Sequence, residues 1–140
     1  MSGLFITIEG TDGAGKTTQI KLLEKYLSDK GFKVVCTREP GGTPISEKIR
    51  EIIIDKNNTE MTDMTEALLY AAARAQHVSE VILPALKEGG IVISDRFVDS
   101  SVVYQGFARS MGERLIKNIN KYAVGDLEPD ITFLLKLKPE

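Results

Sequence analysis

The sequence predicts an α/β fold in which a parallel sheet is covered by helices on both faces. Three observations lead there. Leu4-Phe5-Ile6-Thr7-Ile8 and Ile91-Val92-Ile93 are apolar almost throughout rather than alternating, as strands buried on both faces are. Stretches with apolar residues at helical spacing lie between such runs. Polar residues with chemistry to offer follow the strand ends, where open parallel sheets place their ligands. A length of 140 residues suits one domain with a core of its own.

The elements follow in order. The first strand is Leu4 to Glu9. The next helix carries Ile20, Leu23 and Leu27 on one stripe, with Leu22 and Tyr26 widening it and Gly31 placed to cap its end. Lys33 to Arg38 is the second strand. The turn Glu39-Pro40-Gly41-Gly42-Thr43-Pro44 leads into a helix from about Ser46 to Ile54, and polar Asp55 to Thr62 is loop. A long helix begins near Asp63, where Asp63-Met64-Thr65-Glu66 has the form of a capping box, and runs toward Leu83. Pro84 should kink or end it. The third strand is Ile91 to Asp95. A short helix over Asp99 to Gln105, a loop from Gly106 to Gly112, a helix over Glu113 to Val124 and a fourth strand from Ile131 to Leu137 complete the chain.

The first strand opens into Gly10-Thr11-Asp12-Gly13-Ala14-Gly15-Lys16-Thr17, the pattern G-x-x-x-x-G-K-[ST], with Thr18 following. Its glycines let the backbone turn sharply and aim several N–H groups at one point, to which the helix N-terminus adds partial positive charge. Lys16 reaches β- and γ-phosphates, and the Thr17 hydroxyl ligates Mg²⁺. The alternative is a glycine-rich strand-to-helix turn without a ligand; a strand before and a helix after the motif favour nucleotide binding. Asp95, ending an apolar strand, supplies the acidic group beside the metal. Arg96 next to it is placed to neutralise charge on a transferring phosphoryl group, or else is a surface arginine.

Charged residues make up 27% of the chain and nearly balance, 18 basic against 20 acidic, so no strong field attracts nucleic acid or a membrane surface. The longest apolar run falls short of a membrane span. Met1-Ser2-Gly3 leads straight into a strand, leaving no room for a signal peptide, so the expected compartment is the cytoplasm. Cys36 is the only cysteine, which excludes an intrachain disulfide; in a strand it is expected as a small buried residue. A GTPase would show N-K-x-D, and Asn120-Lys121-Tyr122-Ala123 lacks the Asp. The helical segment between strands two and three suits a kinase that holds a second substrate.

Three further stretches are more specific than the phosphate loop. Thr37-Arg38-Glu39-Pro40-Gly41-Gly42-Thr43, Tyr70-Ala71-Ala72-Ala73-Arg74, and Asp95-Arg96-Phe97 through Ser100-Ser101 to Tyr104-Gln105-Gly106 resemble the bacterial thymidylate kinases, in order along the whole chain. The resemblance implies a P-loop NTPase three-layer sandwich, with sheet order 2-3-1-4-5. It implies phosphoryl transfer from ATP to dTMP with Mg²⁺, and a homodimer. Tyr70 and Arg74, i and i+4 on one helix, share a face. The ring is suited to stack on a pyrimidine and the guanidinium to meet thymine O4, where cytosine presents an amino donor. Residues alone leave open a core tyrosine and a solvated arginine. Ser101 and Gln105 suit the remaining polar edge of the base. By resemblance Tyr104 lies under the sugar, Arg38, Arg50 and Arg96 clamp the dTMP phosphate, and Asp12 sits near the sugar 3′-hydroxyl or the metal. Glu39 orients that clamp or water on Mg²⁺. The role of Arg109 is open, and His77 is expected to be solvated or partly packed.

The loop positions Thr11, Asp12, Gly13 and Ala14 hold no arginine, and relatives with this loop supply catalytic arginines from a mobile lid. That lid and the fifth strand are expected after Glu140. Residues 1–140 thus read as one P-loop kinase domain, truncated before both, with the fourth strand as an open apolar edge prone to association. Two other readings stand beside this one: a P-loop kinase for another pyrimidine nucleotide or nucleoside, and a non-catalytic nucleotide-binding module.

Overall fold

The computed structural model describes residues 3–11 and 13–136. Its strands are β1 (Leu4–Gly10), β2 (Val34–Arg38), β3 (Ile91–Asp95) and β4 (Ile131–Leu135), all parallel, in the order β2-β3-β1-β4. Register brings the carboxyl ends level: Ile8 pairs with Asp95, and Asp95 with Arg38. The amide of Arg96 donates to Ile8 O at 3.0 Å and that of Glu39 to Asp95 O at 2.9 Å. Three loops therefore leave the sheet side by side.

Side chains of the central strands β1 and β3 alternate between two cores, whereas β4 is largely exposed. On one face Ile6, Ile8, Ile91 and Ile93 pack under Ile20, Leu23 and Leu27 of α1 (Lys16–Asp29). On the other, Phe5 and Val92 meet Val78, Ile82 and Phe97, and the Phe5 and Phe97 rings stand edge to face at 5.0 Å. Burial on both faces is why these runs are apolar without alternation. α2 (Pro44–Ile54) packs on α3 (Asp63–His77), which continues through a wide i→i+5 turn, Val78–Ile82, into α4 (Leu83–Lys87). After β3 come α5 (Val98–Ser101), a second wide turn Val102–Ala108, and α6 (Glu113–Val124). Ile116 of α6 joins Ala67 and Val102 in a third cluster. Among the described residues no helix is long and apolar enough to cross a membrane.

Several expectations need correction. Pro84 does not end its helix: it falls in the first turn of α4, where no intrahelical N–H is needed, after the widened turn has reset the spiral. Thr62, not Asp63, caps α3, its Oγ1 accepting from the Thr65 amide at 3.2 Å. Residues 106–108, expected as loop, complete the second wide turn. Cys36 is exposed rather than buried, because β2 is an edge strand and Cys36 faces a hollow beside Ile20, Lys21 and Glu24. Strand four ends at Leu135, and Leu137 lies outside the described residues.

Candidate active site

The loops from β1, β2 and β3 enclose a cleft of about 590 Å³. Its floor is the phosphate loop. Gly13 and Gly15 both take φ of 84°, a left-handed conformation that glycine adopts freely, and α1 starts directly after them. Among the described residues no side chain caps α1 and no acidic residue occupies its first turn, so its N–H groups and dipole are left for an anion. Gly15, Lys16, Thr17 and Thr18 line the cleft. Gly10, Thr11 and Ala14 shape the loop from behind. A Cβ on Gly10 would come within 2.9 Å of Leu135 O, and Ala14 N donates to Thr11 O at 3.2 Å. Asp12 lies outside the described residues.

Lys16 is buried, and its Nζ donates to Asp95 Oδ1 at 2.8 Å. Thr17 and Asp95 line the cleft together. A hydroxyl and a carboxylate are hard oxygen donors that suit Mg²⁺, which takes few protein ligands and completes its shell with phosphates and water. Among the described residues there is no group of three or more His, Cys, Asp or Glu that could hold a metal.

Arg38, Arg50 and Arg96 all reach the cleft wall. Each is held by a neighbouring group. Arg38 Nη2 pairs with Glu47 Oε2 at 3.0 Å, and Arg50 Nη1 donates to Pro40 O at 3.0 Å. The Arg96 guanidinium lies 5.8 Å above the Tyr104 ring, with Nη1 3.4 Å from the Tyr104 hydroxyl. Glu47 in turn accepts from the Gly42 amide at 3.0 Å; that bond first, and Arg38 second, hold its carboxyl below the ordinary range.

The far end of the cleft is built around Arg74, which is 3% exposed and therefore not the solvated arginine of the alternative reading. Nε donates to Glu39 Oε1 at 2.5 Å, Nη1 to Ser101 Oγ at 3.1 Å and to Asn120 Oδ1, and Nη2 to Phe97 O at 3.1 Å. A guanidinium has five N–H donors; these four bonds leave one, on Nη2. Tyr70, on the same helix, is half-buried against the cleft, and burial pushes its phenol upward. Gln105 is 2% exposed and lines the same wall, and its Oε1 has no hydrogen-bond partner among the described residues. Glu39 lines the same cleft, and its second oxygen accepts from His77 Nδ1 at 2.8 Å, so both carboxylate oxygens are engaged, by Arg74 and by His77.

Sequence reasoning gave no role to two buried polar residues, Glu9 and Asn120, and misplaced a third, His77. Glu9 accepts from the Phe97 amide at 2.8 Å and from the Ser100 hydroxyl, joining the root of the phosphate loop to the start of α5. His77 is 0% exposed, not solvated. Asn120 of α6 accepts from Arg74. A signal existed for two of them: Glu9 is a carboxylate at the end of an apolar strand, and Asn120 sits one turn from Ile116 on the buried stripe of its helix. Arg109 forms a loose pair with Glu66, Nε to Oε1 at 3.4 Å, beside a smaller hollow that shares Tyr70, Tyr104 and Gln105 with the cleft.

The profile of the Thymidylate kinase family matches residues 8–140. A thymidylate kinase of Bacillus velezensis is 56% identical over 140 residues, 100% of this chain and 66% of its own length. One of Clostridium novyi is 51% identical over 138 residues, covering 99% and 67%. The crystal structure of thymidylate kinase from Ehrlichia chaffeensis superposes with a TM-score of 0.90 at 40% identity, covering 99% of this chain and 78% of that one. The chain thus spans about two-thirds of the length of the curated relatives it matches.

Proposed function

Because the chain belongs to the thymidylate kinase family, we propose that it takes part in ATP-dependent phosphorylation of dTMP to dTDP, residues 1–140 acting as a single kinase domain. One observation supports the acceptor above the others. The unpartnered Gln105 Oε1 shares the cleft wall with Arg74, which keeps one N–H on Nη2. An acceptor with a donor beside it complements thymine, which offers N3–H and O4. Cytosine presents the reverse pattern and would leave both groups mismatched in a buried place.

The rest of the cleft supplies the transfer. Tyr70 stacks on the base, Tyr104 lies under the sugar, and Arg38, Arg50 and Arg96 hold the acceptor phosphate. Gly13, Gly15, Lys16 and the start of α1 cradle the ATP phosphates. Asp12 is assigned to the sugar 3′-hydroxyl or the metal by resemblance to the family. An oxygen of the dTMP phosphate attacks the γ-phosphorus, the bond to the bridging oxygen of the β-phosphate breaks, and ADP leaves. The chain's part is to hold two anionic nucleotides in line and neutralise the charge between them. Mg²⁺, held by Thr17 and Asp95, neutralises phosphate charge when bound. A homodimer in the cytoplasm completes the proposal. Met64 and Leu68 of α3 and Tyr122 of the adjoining α6 are exposed apolar residues that a second copy would cover.

Titrating dTMP, dCMP, UMP and thymidine into the protein in one calorimetric series tests the acceptor. Binding of dTMP should exceed that of dCMP by about 10- to 100-fold, from a mismatched bidentate contact, and thymidine should bind weakly because it gives the three arginines nothing to hold. Equal affinity for dCMP would overturn the assignment.

A further inference from the structure

Arg74 is held by a second layer of side chains, Glu39 at the cleft wall with His77 and Thr37 behind it. Thr37 Oγ1 lies 2.6 Å from His77 Nε2, His77 Nδ1 lies 2.8 Å from Glu39 Oε2, and Glu39 Oε1 accepts from Arg74 Nε at 2.5 Å. The His77 ring is 0% exposed and Glu39 is 5% exposed. The Gly41-Gly42 turn closes over the ring: a Cβ on Gly42 would sit 2.4 Å from His77 Cδ2 and 2.7 Å from Thr37 Oγ1, at a φ of 93°. The His77 ring is thus held between Gly42, Thr37 and Glu39, with its Nδ1 facing one oxygen of Glu39.

That arrangement has a geometric consequence. Both oxygens of the Glu39 carboxylate are engaged, one by His77 and the other by Arg74. The second oxygen takes Arg74 Nε, which is coplanar with both Nη groups in the guanidinium fork. The orientation of the fork, and hence the direction of its remaining N–H, follows from where Glu39 stands. Phe97 O, Ser101 and Asn120 support the same plane from other sides. They sit on the segment after β3 and on α6, however, whereas Glu39 alone links the guanidinium to the end of β2.

We propose that His77 is a positioning residue that sets pyrimidine selectivity, acting through Glu39 on the Arg74 guanidinium. This deepens the acceptor assignment above and rests on it. Removing the imidazole leaves Glu39 Oε2 buried without its donor and opens space into which Glu39 and Arg74 rotate. The remaining Arg74 N–H then loses its aim at the base edge. The phosphate loop and the arginine clamp are untouched.

Three variants of the full chain test this by equilibrium binding and steady-state kinetics, with melting as a control. The amide nitrogen of Asn can stand near the imidazole Nδ1, whereas that of Gln stands near Nε2. His77→Ala and His77→Gln should weaken dTMP binding and raise its KM by about 10- to 100-fold, the scale for misplacing a reacting or recognising group by about 1 Å. Both should narrow the preference for dTMP over dCMP, with ATP affinity unchanged and kcat within about threefold. His77→Asn should recover most of the selectivity. Should His77→Ala fail to fold, Thr37→Val, which removes only the outer support of the ring, should produce the same KM effect in weaker form. Wild-type selectivity in a folded His77→Gln, or equal losses in the Asn and Gln variants, would overturn the proposal. A wild-type protein that does not distinguish dTMP from dCMP would instead overturn the acceptor assignment.

Discussion

Lys16 Nζ and Asp95 Oδ1 stand 2.8 Å apart, so the cation of the phosphate loop is ion-paired to the carboxylate that ends β3. The pair joins the start of α1 to the central sheet at the place where phosphate and metal are proposed to meet. Lys16→Ala should lower phosphoryl transfer by at least about 100-fold, the scale for losing one preorganised charge-stabilising donor. The fold should survive, since the lysine charge serves the cleft rather than the core. Turnover and far-ultraviolet circular dichroism check both halves, and near-normal turnover would refute the role.

Gln105 separates binding from stability. Its Oε1 is buried without a partner, a condition that costs folding free energy. Gln105→Met keeps the shape and removes the unsatisfied acceptor. It should melt at or above wild type while binding dTMP about 5- to 100-fold more weakly, the range for one lost polar partner. A variant that loses affinity and stability together would show that Gln105 serves the fold. Arg74→Ala is a poorer probe, since it strips four bonds and leaves Glu39 buried beside empty space.

Two carboxylates should bend the acid limb of stability in opposite directions. Burial raises Glu9 above its ordinary value of 4.5, outweighing the bonds from Ser100 and the Phe97 amide. The folded protein therefore binds that proton more tightly than the unfolded chain does. The resulting stability is fully present below pH 4.5 and is lost as pH rises through the raised value. Glu47, lowered by the Gly42 amide and Arg38, contributes above 4.5 and loses its contribution as pH falls. Glu9→Gln should thus melt at or above wild type at neutral pH, with the gap closing toward acid. Glu47→Gln should melt lower at neutral pH, with its gap also closing in acid. Melting curves across the range give both signs.

Tyr104, proposed to lie under the sugar, should disfavour a 2′-hydroxyl there by its bulk. Tyr104→Phe removes the hydroxyl that meets Arg96, and smaller residues open the space beneath the sugar. The ratio of kcat/KM for UMP over dUMP should rise by about 10-fold, a typical discrimination for one group in a pocket. A ratio unmoved by Phe, Leu and Ala at this position would remove the steric role.

Much of the fold was legible because local pattern and global architecture agree. Apolar runs placed all four strands, and helical spacing placed the helices. Boundaries failed where a non-local feature decided them: the wide turns at Val78–Ile82 and Val102–Ala108 have no spacing signal that a short window detects. Cys36 was misjudged because sheet order, which makes β2 an edge, is not written in β2 itself. In the site, the cleft gathers the residues that adjoin motifs, Lys16, Arg38, Arg96 and Gln105 among them. Glu9, His77 and Asn120 escaped because their partners lie 88, 38 and 46 positions away.

Arg96 adopts a φ of 72°, a left-handed backbone that costs a side-chain-bearing residue about 1–2 kcal/mol relative to the right-handed region. It is held there by its amide bond to Ile8 O and by the Ser94 hydroxyl, which donates to Arg96 O at 2.8 Å. Glycine is the residue that this backbone would favour, yet an arginine occupies it. Arg96→Gly should therefore melt higher than Arg96→Ala, although neither offers a guanidinium to the acceptor phosphate. Heat tolerance and the proposed phosphate capture compete for a single position. A screen that rewards thermal resistance alone should recover Arg96→Gly among clones that no longer transfer phosphate.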